Sequence, residues 1–304
     1  MAEPYPQRYV TTAEHDAAGG RVSGVFDIGP RLSAAGGVEI DGIDLSQPIS
    51  TVVRDRITDA FLEHHVVVFH DQTLAREQQF AFSANFGEVE RSKAGLSINK
   101  RYSVAHVISN LDSDGKPRDR SASSVSNYNW HTDKAYYRVP PMMTTLYAVE
   151  LPPQGGDTEF ANTAMAYSVL SAAARRQIAE LRVVFCWGAR RPPTEDPPIA
   201  RGEAREPVEH PLVRTHPQTG NKALYLGNHA SHIRGLPVPE GCALLDELLA
   251  HATQPQFVYA HRWRVGDLVM WDNRCLLHRA VANFEMNRHR RVLHRTVVRG
   301  TVPF

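Results

Sequence analysis

From Pro141 onward the chain is a succession of short apolar runs cut by turn residues, and that rhythm constrains the fold more than any other feature. "MMTTLYAVEL" (142–151), "VVFCW" (183–187), "QFVYAHRW" (256–263), "DLVMWD" (267–272) and "RVLHRTVVRG" (291–300) each have the length and residue types of one strand. "PPQGGDT" (152–158) is a turn, and "VRTHPQTGNKALYLG" (213–227) reads as a hairpin closed by "PQTGN". Before Pro141, "GVFDIGPRLSAAGGVEIDGIDL" (24–45) alternates apolar and polar residues around Gly turns, and "VVVF" (66–69) is a buried strand. Helical patterns are fewer. "TVVRDRITDAFLEHH" (51–65) puts Val53, Ile57, Phe61 and Leu62 on one face, and "LAREQQFAFSANFG" (74–87) is stopped by Gly87. Residues 163–182 predict one helix, and 239–253 another that Gly241 does not break.

No internal repeat and no Pro/Gly linker divides this pattern. The expectation is one α+β domain over residues 23–304, with antiparallel strands inside and helices outside, preceded by a flexible arm at 1–22. Residues 88–129, with "NLDSDGKPRDRSASS" at their centre, are polar and aperiodic, which predicts a mobile functional loop. Residues 188–209, rich in Pro, Arg and Glu, predict an exposed insert.

Composition narrows the partners. The 34 basic and 33 acidic residues of the 304 leave a net charge of +1 with no long run of one sign, so no nucleic-acid footprint is expected. No apolar run approaches a membrane span, and the first residues carry no apolar leader segment. Three scattered cysteines without C-x-x-C spacing suit a reducing cytoplasm. The partner expected is a small molecule.

Candidate chemistry gathers in a few stretches. In "NWHTDKAYY" (129–137), His131 and Asp133 stand two apart, so an extended backbone would turn both to one face and toward one ion. A catalytic metal needs a third ligand. His278 of "WDNRCLLHRAV" (271–281) is favoured, after a buried strand and a turn, with His229 and His232 of "GNHASHIRG" (227–235) as rivals. Two His and one carboxylate on one face of an octahedron leave three open positions, the arrangement of non-haem Fe(II) oxygenases. Alone, a His-x-Asp tripeptide is more often a surface pair. In "NRHRRVLHRTVVRG" (287–300), Arg291 and Arg295 lie four apart on one strand face. Buried there, each guanidinium would need an anion; exposed, they are an ordinary basic edge.

Taken together, "FGEVER" (86–91), "NWHTD" (129–133), "PPQGGDTEFAN" (152–162), "HPQTGNKALYLGNHA" (216–230), "WDNRCLLHRAV" and "RRVLHRTVVRG" (290–300) resemble the taurine/alpha-ketoglutarate dioxygenase family, which includes the aryloxyalkanoate dioxygenases and alkylsulfatases. The resemblance implies a double-stranded β-helix (jelly roll) with flanking helices. It implies Fe(II) held by His131, Asp133 and His278, and 2-oxoglutarate whose distal carboxylate meets Thr158 and Arg291. With O2, a C–H of a small anionic substrate would be hydroxylated, leaving succinate and CO2. Arg295 matches an arginine that pairs with anionic substrates, Asn127 matches a pocket asparagine, and His229 falls where an aromatic pocket residue is expected. Ser92 stands near the position where taurine enzymes carry a sulfonate-gripping histidine, which argues against taurine. Lys134, Arg190 and Arg191 are expected at the pocket rim. Asp133 argues against a halogenase, which replaces that carboxylate with a small residue.

The resemblance further implies a homo-oligomer, dimer or tetramer, and makes 88–129 an active-site lid. A zinc hydrolase on the same three ligands, or a jelly roll that binds a keto acid without turnover, are the alternatives.

Overall fold

The computed structural model describes residues 26–91, 105–119, 126–187 and 206–304. The arm at 1–22, Ser92, Arg190 and Arg191 lie outside the described residues. The strands in chain order are β1 (Asp27–Ser33), β2 (Gly36–Asp41), β3 (Val66–Phe69), β4 (His106–Ser109) and β5 (Pro141–Glu150). Then come β6 (Thr158–Asn162), β7 (Arg182–Phe185), β8 (Val208–Pro211), β9 (Val213–Thr215) and β10 (Lys222–Leu224). The last are β11 (Ala230–Ile233), β12 (Val258–His261), β13 (Leu268–Asp272), β14 (Leu276–Ala280) and β15 (Val292–Arg299). The helices are α1 (Thr51–His64), α2 (Arg76–Ala84), α3 (Thr163–Ser168), α4 (Ala172–Ile178) and α5 (Val238–Ala252).

β3 shows how the core is layered. All four residues of "VVVF" are buried, yet they serve two cores, because alternate side chains leave opposite faces of the strand. Val67 and Phe69 join Met143, Tyr147 and Met270 under α1 and α2, meeting Val53, Ile57, Phe61 and Phe82. Val66 and Val68 face inward, where Leu146, Val269, Trp271 and Leu293 meet Phe160 and Leu276 of β6 and β14. A strand buried on both faces reads as a continuous apolar run, as this one does.

The large sheet has seven strands in the order β1-β2-β3-β13-β5-β15-β4. β12-β6-β14 form a smaller sheet, and β11-β7-β8 and β10-β9 complete the β structure. A third core gathers Phe185, Leu212, Leu224, Ile233, Leu245 and Leu277, with α5 over β11. Sheets and a few covering helices give the mixed α and β class read from the sequence.

Several local expectations are corrected. Residues 163–182 form two helices, because Asn162 caps α3 through Met165 N and Ser171 caps α4 through Ala174 N. A side chain that satisfies an orphan amide starts a new helix, which propensity summed over the segment misses. The aperiodic stretch 88–129 contributes β4, paired along its length with β15 at the edge of the large sheet. The expected insert ends in a strand: its last two residues, Val208 and Glu209, open β8, which pairs with β7. β6, β11 and β14 were not anticipated as strands. None of the helices among the described residues is long and apolar enough to cross a membrane.

Candidate metal and keto-acid site

His131 and His278 are brought together by backbone. His131 N donates to His278 O at 3.1 Å and His278 N to His131 O at 2.8 Å, a two-bond antiparallel bridge outside the regular strands. Side chains of directly opposed residues leave the same face, so the two rings lie 4.2 Å apart. Asp133, two residues on, turns its carboxylate to that place, with Oδ2 3.9 Å from His278 Nε2. All three residues are buried, and one ligand atom from each lies within 4.8 Å of the others. Gly227 lets the neighbouring turn approach this strand: at φ +120, an added Cβ would stand 3.0 Å from Trp130 O.

The protonation states suit a cation. His131 Nδ1 donates to Asn129 O at 2.8 Å, which leaves the Nε2 lone pair free. Burial holds His131 and His278 below the usual histidine range, so both are neutral near pH 7. Burial works the other way on Asp133, but the Arg295 guanidinium, His278, His131 and a hydrogen bond from Thr144 outweigh it and hold the carboxyl below its ordinary value. Two neutral imidazoles and an ionised carboxylate form a donor set that fits a divalent transition metal. A second cluster, His65, Asp272 and Cys275, is as tight but does not fit one. Each Asp272 oxygen already accepts two hydrogen bonds, Oδ1 from Arg274 Nε at 2.7 Å and Arg274 N at 2.9 Å, Oδ2 from Arg274 Nη2 at 2.7 Å and His216 Nε2 at 2.9 Å, whereas each Asp133 oxygen accepts one. Burial also pushes the Cys275 thiol well up, away from the thiolate a metal requires.

Beside the triad lies a cavity lined by Asn127, His131, Thr158, His278, Arg291 and Arg295 among others. Arg291, just before β15, is buried, and its Nε donates to Gly156 O at 2.8 Å. Its Nη2 reaches Thr158 Oγ1 at 3.4 Å. Trp263 Nε1 also donates to Thr158 Oγ1, at 2.9 Å. With two donors on its oxygen, the Thr158 hydroxyl keeps its own proton to give to an acceptor. Burial holds the Arg291 guanidinium down at about 10. A buried cation bonded to a carbonyl and a hydroxyl is ready for an anion.

Other predicted positions divide. Arg295 lines the cavity, and its Nη1 donates to Asp133 Oδ1 at 3.1 Å. His229 is buried edge-on against His131, ring centroids 6.4 Å apart, and does not line the cavity. Burial, and then His131, pull its pKa to about 4. His232 sits in β11, paired opposite β7. The Lys134 ammonium is paired with Glu90 rather than turned into the cavity, and Lys134 holds a left-handed φ of 50°.

Sequence reasoning missed the supporting residues. Asn110 Oδ1 accepts from Arg291 N at 2.8 Å, His106 stands opposite Arg295 in the β4–β15 register, and Ile108 lines the cavity. All three fall in the stretch read as aperiodic, where short edge strands leave little periodic signal. Thr144 and Trp263 lie in runs read as strands, which hid their side-chain roles.

Comparison with known proteins identifies the family. The Taurine catabolism dioxygenase TauD, TfdA family model matches residues 25–297. The alpha-ketoglutarate-dependent 2,4-dichlorophenoxyacetate dioxygenase of Cupriavidus pinatubonensis is 43% identical, over 82% of this chain and 88% of that protein. The (S)-phenoxypropionate/alpha-ketoglutarate-dioxygenase of Sphingobium herbicidovorans is 34% identical, over 90% and 95%. The crystal structure of AAD-2 in complex with Mn(II) and N-oxalylglycine superposes with a TM-score of 0.78 at 33% identity, over 92% of this chain and 98% of that one. This chain belongs to the TauD/TfdA family and is a dioxygenase.

Proposed function

We propose that this dioxygenase uses Fe(II), 2-oxoglutarate and O2 to hydroxylate a small aryloxyalkanoate-like acid. The observation that carries the reading is one cavity whose wall brings His131 and His278 of the buried His131–Asp133–His278 triad together with the Thr158–Arg291 pair. His131, Asp133 and His278 hold the iron. Thr158 and Arg291 bind the distal carboxylate of 2-oxoglutarate through a hydroxyl proton and a guanidinium. Arg295 and Asn127 face the primary substrate, Arg295 toward its anionic end. The iron, when bound, supplies the oxidation that adds one oxygen atom to carbon and the other to succinate as CO2 leaves. Hydroxylation beside an ether oxygen gives a hemiacetal, which collapses and splits the aryl ether.

The inner core between the large sheet and β12-β6-β14 supports the jelly-roll reading, with the triad at the rim where β14 meets the His131 bridge. Residues 23–304 form the catalytic domain, 88–129 include the lid, and the protein works as a cytoplasmic homo-oligomer. Lys134, paired with Glu90, and His229, packed on His131, were expected to face the substrate but do not line the cavity; Ser92 stays assigned to the substrate side by resemblance.

The deciding experiment is succinate release with Fe(II), 2-oxoglutarate and a panel of aryloxy acids, sulfonates and sulfate esters. Strong stimulation by 2,4-dichlorophenoxyacetate or a phenoxypropionate enantiomer is expected. Stimulation by a sulfonate or sulfate ester alone overturns the substrate class, and turnover without 2-oxoglutarate overturns the chemistry.

A further inference from the structure

Behind the triad, a chain of hydrogen bonds runs one way from the cavity wall to Asp133. Trp271 Nε1 donates to Asn273 Oδ1 at 3.1 Å, and Asp133 N donates to the same oxygen at 3.4 Å. Both donors lack any acceptor role, so they settle which end of the Asn273 amide is oxygen. Asn273 Nδ2 must then point the other way, and it donates to Thr144 Oγ1 at 2.8 Å. With that lone pair occupied, the single Thr144 hydroxyl proton goes to Asp133 Oδ2, at 2.6 Å. Thr132 Oγ1 donates to Asn273 O at 2.8 Å, tying the same turn to the residue between His131 and Asp133. Trp271, Asn273 and Thr144 are at most 1% exposed, so water does not compete for these bonds.

We infer that Asn273 is a positioning residue for Asp133, acting through Thr144. The amide sets the direction of the Thr144 proton. That proton holds Oδ2, while Arg295 holds Oδ1, and the carboxylate is thereby kept in one orientation toward His278. An aspartate at 273 has the same shape but no donor. It would take the Thr144 proton for itself and set a second negative charge behind Asp133. Partners of this kind around metal-binding carboxylates typically change metal affinity ~10–100-fold.

The inference rests on reading Asp133 as a metal ligand, and the test separates the two. Co(II) is titrated into the full metal-free chain, following heat and the visible absorption bands, with folding checked by circular dichroism. Thr144→Val and Asn273→Asp should weaken Co(II) binding ~10–100-fold and shift the bands, whereas Thr144→Ser should restore both. Folded Thr144→Val and Asn273→Asp proteins with wild-type affinity and bands overturn the inference alone. A wild-type chain that binds no Co(II) overturns the metal reading with it. Should Asn273→Asp not fold, Trp271→Phe tests the same link. It keeps an aromatic ring beside His278 and removes the nearer of the two donors that fix the amide, leaving only Asp133 N at 3.4 Å, so lost affinity with shifted bands supports the role of Asn273 and unchanged affinity and bands refute it.

Discussion

At Asp133 a carboxylate is ionised inside a buried site because Arg295, two imidazoles and Thr144 together outweigh its desolvation. Removing a ligand leaves the backbone bridge between His131 and His278 intact. His131→Ala and Asp133→Ala are therefore expected to stay folded and to lose iron-dependent succinate release entirely; wild-type release from either variant would contradict the triad. Arg291 separates binding from chemistry. Arg291→Ala should raise KM for 2-oxoglutarate on the order of a hundredfold, about 3 kcal/mol, as expected for a buried charged hydrogen-bonding partner. Gly156→Ala acts on the same side chain indirectly. At φ +76 the new Cβ is strained and stands 3.1 Å from Arg291 Cδ and Nε. A smaller KM rise, about tenfold for ~1–2 kcal/mol of strain, is expected in the same kinetic assay.

At the level of elements, α5 poses a conflict between propensity and packing. An alanine in a helix interior is ordinarily ~1 kcal/mol better than glycine. At Gly241, however, the added Cβ would lie 2.9 Å from Ile233 N of β11, a backbone atom that cannot swing aside. Overpacking of this kind costs ~1–3 kcal/mol, so packing prevails. Gly241→Ala should lower the urea midpoint, and a raised midpoint would show that α5 shifts without cost. β4 makes a related point. Its alternation puts Ile108 on the cavity and Val107 at the surface, 38% exposed. Four residues were too few to stand out in a polar run, and pairing with β15 rather than intrinsic preference makes them a strand.

For the molecule as a whole, buried histidines tie stability to pH. Burial pushes His210 down to about 4, although its Nε2 sits 3.0 Å from Ala135 O and 2.9 Å from Tyr137 O. His65 is pushed to about 4 by the same cause. In the unfolded chain each titrates near 6.5. Between these values the unfolded state binds the extra proton, so stability is complete above about pH 6.5 and falls as pH drops toward 4. The loss is up to about 3 kcal/mol per residue. Urea unfolding of the metal-free protein at pH 7.5, 5.5 and 4.5 should show it, with a shallower decline in His210→Gln. Equal declines would remove His210 from the account.

Much of this site was legible because its chemistry comes in short local motifs. His131 and Asp133 share a face by the two-residue period of extended chain, whereas Thr158 of "GGDT" and Arg291 of "RRVLHR" are pointed out as keto-acid candidates only by the family resemblance. The apolar runs likewise determined β3, β5 and β13 of the large sheet, since burial on both faces demands them. What the sequence left open was every relation across the sheets. His278 over His229 was decided by a backbone bridge between residues 147 apart in number. Lys134 was assigned to Glu90 by the return of the chain after α2. The orientation of Thr144 depends on an amide brought in by the β13–β14 turn. A period along one strand is a property of local geometry, but hydrogen bonds between strands depend on register, and register is settled when the whole core packs.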